Sequence, residues 1–163
     1  MVANGSPVLI LWHSRTGAAQ AMADAAAQGA GKGGRLLRAE AATPDDFRAA
    51  SAYLFVCPEN LAIMSGMMKE MFDRCYYPLM GKVEGRAYAT AIAAGSDGTG
   101  AVRQIDRIVT GWRLKRVAES LIVNCRAQTA EEILAPKTLT SDDLARCRDM
   151  GEAIAEGLAL GIF

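Results

Sequence analysis

The sequence predicts an α/β fold, a three-layer sandwich in which a five-stranded parallel sheet of order 2-1-3-4-5 is covered by helices on both faces. Two observations predict it. Five short runs, "PVLILWH", "RLLRAE", "AYLFVC", "AYATAIAA" and "SLIVNC", alternate with five helix-forming stretches. Most of these runs are apolar without a break, which is the pattern of strands buried on both faces, and strict strand–helix alternation implies right-handed crossovers between parallel neighbours. With 163 residues, 51% of them hydrophobic, the chain has the material for one core, so residues 1–163 are expected to form a single domain.

Each element has its own local reason. After "PVLILWH", the alanine-rich "TGAAQAMADAAAQGAGKGG" favours a helix until its glycines dissolve it. "RLLRAE" makes a short second strand. "TPDDFRAAS" is a short helix, with Thr43 to cap it and Pro44 at its first position. "AYLFVC" is the third strand. In "SGMMKEMFDRCYY", Ser65 is placed to cap a helix, Met68, Met71 and Phe72 share one face, and Pro78 and Gly81 stop it. "AYATAIAA" follows as the fourth strand. In "AVRQIDRIVTGWRLK", Val102, Ile105, Ile108 and Val109 fall in helical phase, before "SLIVNC" and a last helix from Ser141 towards Leu160.

Composition narrows the function. Eighteen basic residues balance eighteen acidic ones, which gives neither the field of a nucleic-acid binder nor an acidic tail. No apolar run approaches the roughly 18 residues of a membrane span. Cys57, Cys75, Cys125 and Cys147 are far apart, and the start lacks a basic region followed by a long apolar stretch, so a cytoplasmic protein with reduced thiols is expected. The expected partner is a small molecule.

In an open doubly wound sheet the ligand crevice lies beyond the carboxyl ends of the strands, where strand order reverses between strands one and three. The loops there read "HSRTGAA" and "PENLAIMSG", with "AGSDGTG" after strand four beside them. The first ends at a helix N-terminus, whose free N–H groups and dipole favour a phosphate. Ser14 and Thr16 add hydroxyl donors, Gly17 permits a close backbone approach, and Arg15 adds charge. A Walker-type reading of "GAGKGG" fails, because Gly33 stands where a Ser or Thr is needed and the segment ends a helix. His13, the only histidine, follows strand one directly, and a strand-end imidazole there hydrogen-bonds its neighbours.

Together "HSRTGAAQAMA", "PENLAIMSGMMKEMFDR" and "AAGSDGTGA" resemble the three flavin loops of flavodoxin-like FMN proteins, over roughly residues 8 to 125. Within that group, P-x-N followed by M-S-G-x-x-K and D-R resembles the NAD(P)H-dependent FMN reductases and quinone oxidoreductases of the tryptophan-repressor-binding-protein type. The resemblance implies that Ser14, Arg15, Thr16, Gly17, Ala18 and Ala19 hold the FMN phosphate. It implies that Pro58, Glu59, Asn60, Leu61 and Ala62 line the isoalloxazine ring, and that Gly95, Ser96, Asp97 and Gly98 close its other side. Ala18 and Ala19 depart from the family, which usually carries Asn and Thr there. No aromatic stands between Pro58 and Ser65, so the ring is expected to be open to a second substrate. The implied activity passes a hydride from NAD(P)H through FMN to a quinone or similar small electron acceptor, with the flavin carrying the chemistry, no side-chain acid or base, and no metal. The alternative is a flavodoxin-type FMN electron carrier that docks protein partners. A third reading is an interaction module that has lost FMN. The run from Met64 to Tyr77 has more apolar surface than one buried face needs, so a homodimer or homotetramer is expected.

Overall fold

The computed structural model describes residues 7–163, so the first six residues of the expected 1–163 domain, and what was read from the start of the chain, lie outside the described residues. In chain order the elements are β1 (Val8–Trp12), α1 (Ala18–Ala30), β2 (Gly34–Arg38), α2 (Pro44–Ala49), β3 (Ala52–Asn60), β4 (Ile63–Met64), α3 (Gly66–Leu79), β5 (Ala87–Ala94), α4 (Thr99–Gly111), β6 (Lys115–Arg116), β7 (Leu121–Asn124), α5 (Ala130–Leu134) and α6 (Ser141–Ala159). β2, β1, β3 and β5 are consecutive parallel neighbours, and β6 and β7 both pair in parallel with the far side of β5. This is the expected order 2-1-3-4-5 of a flavodoxin-like fold.

The sheet nevertheless has seven strands instead of five. The tip of β3 folds back as the antiparallel β4, and the expected fifth strand is split. β6 pairs with Ala87 and Tyr88, β7 pairs with Ala91 to Ala94, and residues 117–120 bulge out opposite only Ala89 and Thr90. Two buried hydroxyls, Thr90 Oγ1 and Ser120 Oγ, have no partner among the described residues. An orphaned buried hydroxyl costs free energy, so Thr90→Val, which keeps the shape, is expected to raise stability by about 1 kcal/mol, read from urea denaturation.

Strand alternation sorts the core into two layers. Leu9, Leu11, Tyr53, Phe55, Tyr88 and Ile92 face α2, α3 and α4, where Phe47, Met68, Met71, Phe72 and Trp112 fill a layer rich in aromatic rings. Val8, Ile10, Leu54, Val56, Ala89 and Ala91 face α1 and α6. That side is built from small residues, and the two helices touch backbone to backbone. A Cβ on Gly29 would lie 1.9 Å from the carbonyl oxygen of Arg148, and one on Gly151 would lie 2.0 Å from that of Ala26.

The caps follow the residues. Thr43 accepts from the Asp46 backbone N–H, Asp46 reciprocates, and Pro44 opens α2. α3 runs through Pro78 and ends at Leu79, because a proline in the last turn removes one bond and lets the helix finish first. α4 stops at Gly111, earlier than expected, since Arg113 takes φ 56° and turns the chain into β6. α5 is an additional short helix. Among the described residues no helix is long and apolar enough to cross a membrane.

Candidate functional site

The turn from β1 into α1 gathers hydrogen-bond donors at an uncapped helix start. Gly17, at the N-cap of α1, has φ 100°, a conformation strained for any other residue, and no side chain caps the helix. Its N–H donates to Ser14 Oγ at 3.0 Å, which closes the turn and leaves the Ser14 hydroxyl proton free to donate outward. Ala18 and Ala19 are buried, with their methyls in the α1 core layer. The donors of this turn are therefore the backbone N–H groups and the hydroxyls of Ser14 and Thr16, with Arg15 exposed beside them.

The second loop is a rigid hairpin. Leu61 and Ala62 take φ 51° and 71°, the two left-handed residues of a tight turn, so that Asn60 pairs with Ile63 and Glu59 with Met64. Neither residue favours that conformation, and α4 imposes it. Glu59 accepts the N–H of Gly98 at 2.9 Å through Oε1 and that of Ala101 at 3.0 Å through Oε2. Gln104 accepts the Met64 N–H at 2.9 Å. A Cβ on Gly100 would lie 1.9 Å from the Ala62 carbonyl oxygen, so only glycine lets the hairpin tip rest on α4.

The third loop turns on Gly98, with φ 94° at the N-cap of α4. Asp97 accepts from the Thr99 N–H and hydroxyl, and the Ser96 carbonyl accepts from the Asn124 side-chain amide at 2.7 Å.

One cleft gathers Ser14, Arg15, Thr16, Ala18, Ala19, Pro58, Glu59, Asn60 and Gly95. Gly17 shapes this wall without lining it. Leu61, which is 99% exposed, and Ala62 stand outside at the hairpin tip, because the tight turn points them to solvent. Ser96, Asp97 and Gly98 also lie outside the lining: Ser96 and Asp97 are exposed, and the Gly98 N–H is given to Glu59. The cleft has a wall the sequence reading missed: Cys125, Ala127, Ile133 and Lys137, from the stretch between β7 and α6. The one signal for it is Thr129-x-x-Glu132, a capping box that starts α5.

Ser65 occupies the N-cap of α3, yet its hydroxyl bonds His13 Nδ1 at 2.8 Å instead of capping the helix. Burial lowers the His13 pKa, opposed by Glu40 and helped by Arg38. Cys57 is fully buried, and burial pushes its thiol up to about 12, with the nearby Ser65 acting in the opposite direction. Cys75 and Cys147 are also buried with raised pKa values. None of these thiols is a nucleophile at neutral pH. Trp12 carries the Arg38 guanidinium over its ring at 4.8 Å, and Trp112 lies in the core. Asp73 pairs with Lys69 and Arg74 with Glu70, each four residues away on α3.

No family model matches the chain. Among curated proteins, a flavodoxin of Aquifex aeolicus (strain VF5) is 25% identical over 162 residues, covering 94% of this chain and 87% of that one. Among solved structures, a flavodoxin, WrbA-like protein from Agrobacterium tumefaciens superposes with a TM-score of 0.76 at 18% identity, over 96% of this chain and 99% of that one. A flavodoxin from the domain Archaea gives 0.74 at 17% identity, over 94% and 99%. The fold is therefore flavodoxin-like, with flavodoxins and a WrbA-like flavodoxin as its neighbours.

Proposed function

We propose that this chain is an FMN-binding redox protein of the flavodoxin type, which carries electrons between partners. The observation that carries the reading is the uncapped, left-handed Gly17 start of α1, flanked by Ser14 and Thr16 and opening into the same cleft as the hairpin of Pro58, Glu59 and Asn60. The donor set fits the cofactor: N–H groups and hydroxyls suit a phosphate ester at one end, and a rigid backbone ledge suits a flat ring at the other. When bound, FMN supplies the electron-accepting ring. The protein anchors the phosphate, holds the ledge still through α4 and limits water at the cleft. The flavodoxin from Aquifex aeolicus, matched along nearly the whole chain, supports the carrier ahead of the reductase that the second loop alone suggests.

The reductase stays as a second reading because of one observation. The hairpin tip offers Leu61 and Ala62 to solvent where an aromatic would cover a ring, which leaves room for NAD(P)H and then a quinone or similar acceptor. The visible spectrum of the purified protein, followed by anaerobic addition of NADPH or NADH, separates the two. Flavin that bleaches only with dithionite supports the carrier, rapid bleaching by a nicotinamide supports the reductase, and a protein unable to take up FMN refutes both.

Thr16→Val is expected to weaken FMN binding by about 1–3 kcal/mol through a lost charge-assisted bond while leaving riboflavin unaffected, as measured by flavin fluorescence. The outer face of α3 and its end expose Met67, Tyr77 and Met80, and we read this patch as the contact of a homodimer or homotetramer. Light scattering on dilute protein tests that, and a monomer at all concentrations refutes it.

A further inference from the structure

The stretch from Cys125 to Lys137 brings a cation to the phosphate end of the cleft. The Lys137 backbone N–H donates to the Thr16 carbonyl at 2.9 Å, which stitches this wall to the phosphate turn. Its ammonium donates to the carbonyls of Glu132 at 2.7 Å, Ile133 at 3.0 Å and Ala135 at 2.5 Å. These three carbonyls take up all three N–H donors of the ammonium, so the bonds fix the charge in place and it acts on an anion through space instead of by a hydrogen bond of its own. The ion pairs among the described residues do not include Lys137. The same charge is felt at the cleft-lining Cys125, where it acts to lower the thiol pKa against burial and Asp143. The start of α1 contributes methyls from Ala18 and Ala19, and the other cation of the turn, Arg15, is exposed. A charge already held in position acts on a bound anion with little further loss of side-chain entropy.

We propose that Lys137 is the electrostatic anchor of the FMN phosphate and sets the preference for FMN over unphosphorylated riboflavin. This rests on the FMN reading above. The test is fluorescence titration of both flavins into wild type, Lys137→Gln and Lys137→Arg, at low and high salt. Lys137→Gln is expected to weaken FMN about tenfold or more while riboflavin affinity stays unchanged, and Lys137→Arg is expected to keep the preference. In wild type the advantage of FMN over riboflavin shrinks as salt screens the charge. FMN binding by Lys137→Gln at wild-type strength overturns the proposal, as does an equal loss for both flavins, which makes Lys137 only the cap of α5. A wild-type preference indifferent to salt overturns it too, and that measurement needs no variant to fold. These failures leave the FMN reading standing, whereas a wild type that binds neither flavin removes the reading itself.

Discussion

Glu59→Ala is expected to weaken FMN and riboflavin alike, by roughly tenfold to a hundredfold, because its carboxylate makes two charge-assisted bonds that hold the hairpin proposed to carry the ring. Both oxygens are engaged, on Gly98 and Ala101. Removing them frees the hairpin from the first turn of α4 and leaves two helix N–H groups to find water. Glu59→Gln retains one acceptor and should fall between the alanine variant and wild type. Titration with the two flavins locates the effect: equal losses place Glu59 at the ring end, while a loss confined to FMN would show that it acts through the phosphate.

Gly151→Ala should be among the most damaging methyls that can be added to the described residues away from the cleft. Its Cβ would meet the Ala26 carbonyl at 2.0 Å, backbone that no rotamer change can move aside. α1 and α6 would have to separate, at a cost of about 1–3 kcal/mol or more. Gly29→Ala strains the same crossing from the other helix, so the double variant should cost less than the sum of the two. Gly66→Ala is the control, since a Cβ there meets nothing within 4 Å, and it should leave stability unchanged or slightly higher. Urea denaturation midpoints compare all four. A Gly151→Ala protein as stable as wild type would mean that the helices do not cross this closely.

Much of this architecture is legible in the sequence because local and global preferences agree. Short unbroken runs such as "AYLFVC", set between helix-forming stretches, fit strands buried on both faces, and Thr43-Pro44 starts a helix by its own chemistry. The hairpin is different. Leu61 and Ala62 carry no turn signal, and their left-handed conformation comes from Glu59, Gly100 and Gln104, which no local pattern connects. The split of the fifth strand was hidden for a related reason, since β6 is Lys115 and Arg116 alone, two charged residues that pair only because β5 lies beside them. At the site, the β1–α1 turn announced itself through Ser14, Thr16 and Gly17, whose chemistry is local. Lys137 did not, because it reaches Thr16 from far along the chain. Of the third loop, Gly98 gives its N–H to Glu59 and Asp97 accepts from Thr99 at the start of α4, bonds to which the sequence reading had no pointer.

The close crossing of α1 and α6 also bears on how the chain is made. α1 leaves the ribosome well before α6, so until α6 follows, the alanine face of α1 lacks its cover and lies open to chaperones or to other nascent chains. α1, whose start lines the cleft, is thus steadied by α6. A chain stalled before α6 would hold the three loops of the cleft in sequence but without the helix that steadies α1, so the cleft is complete only once α6 has docked.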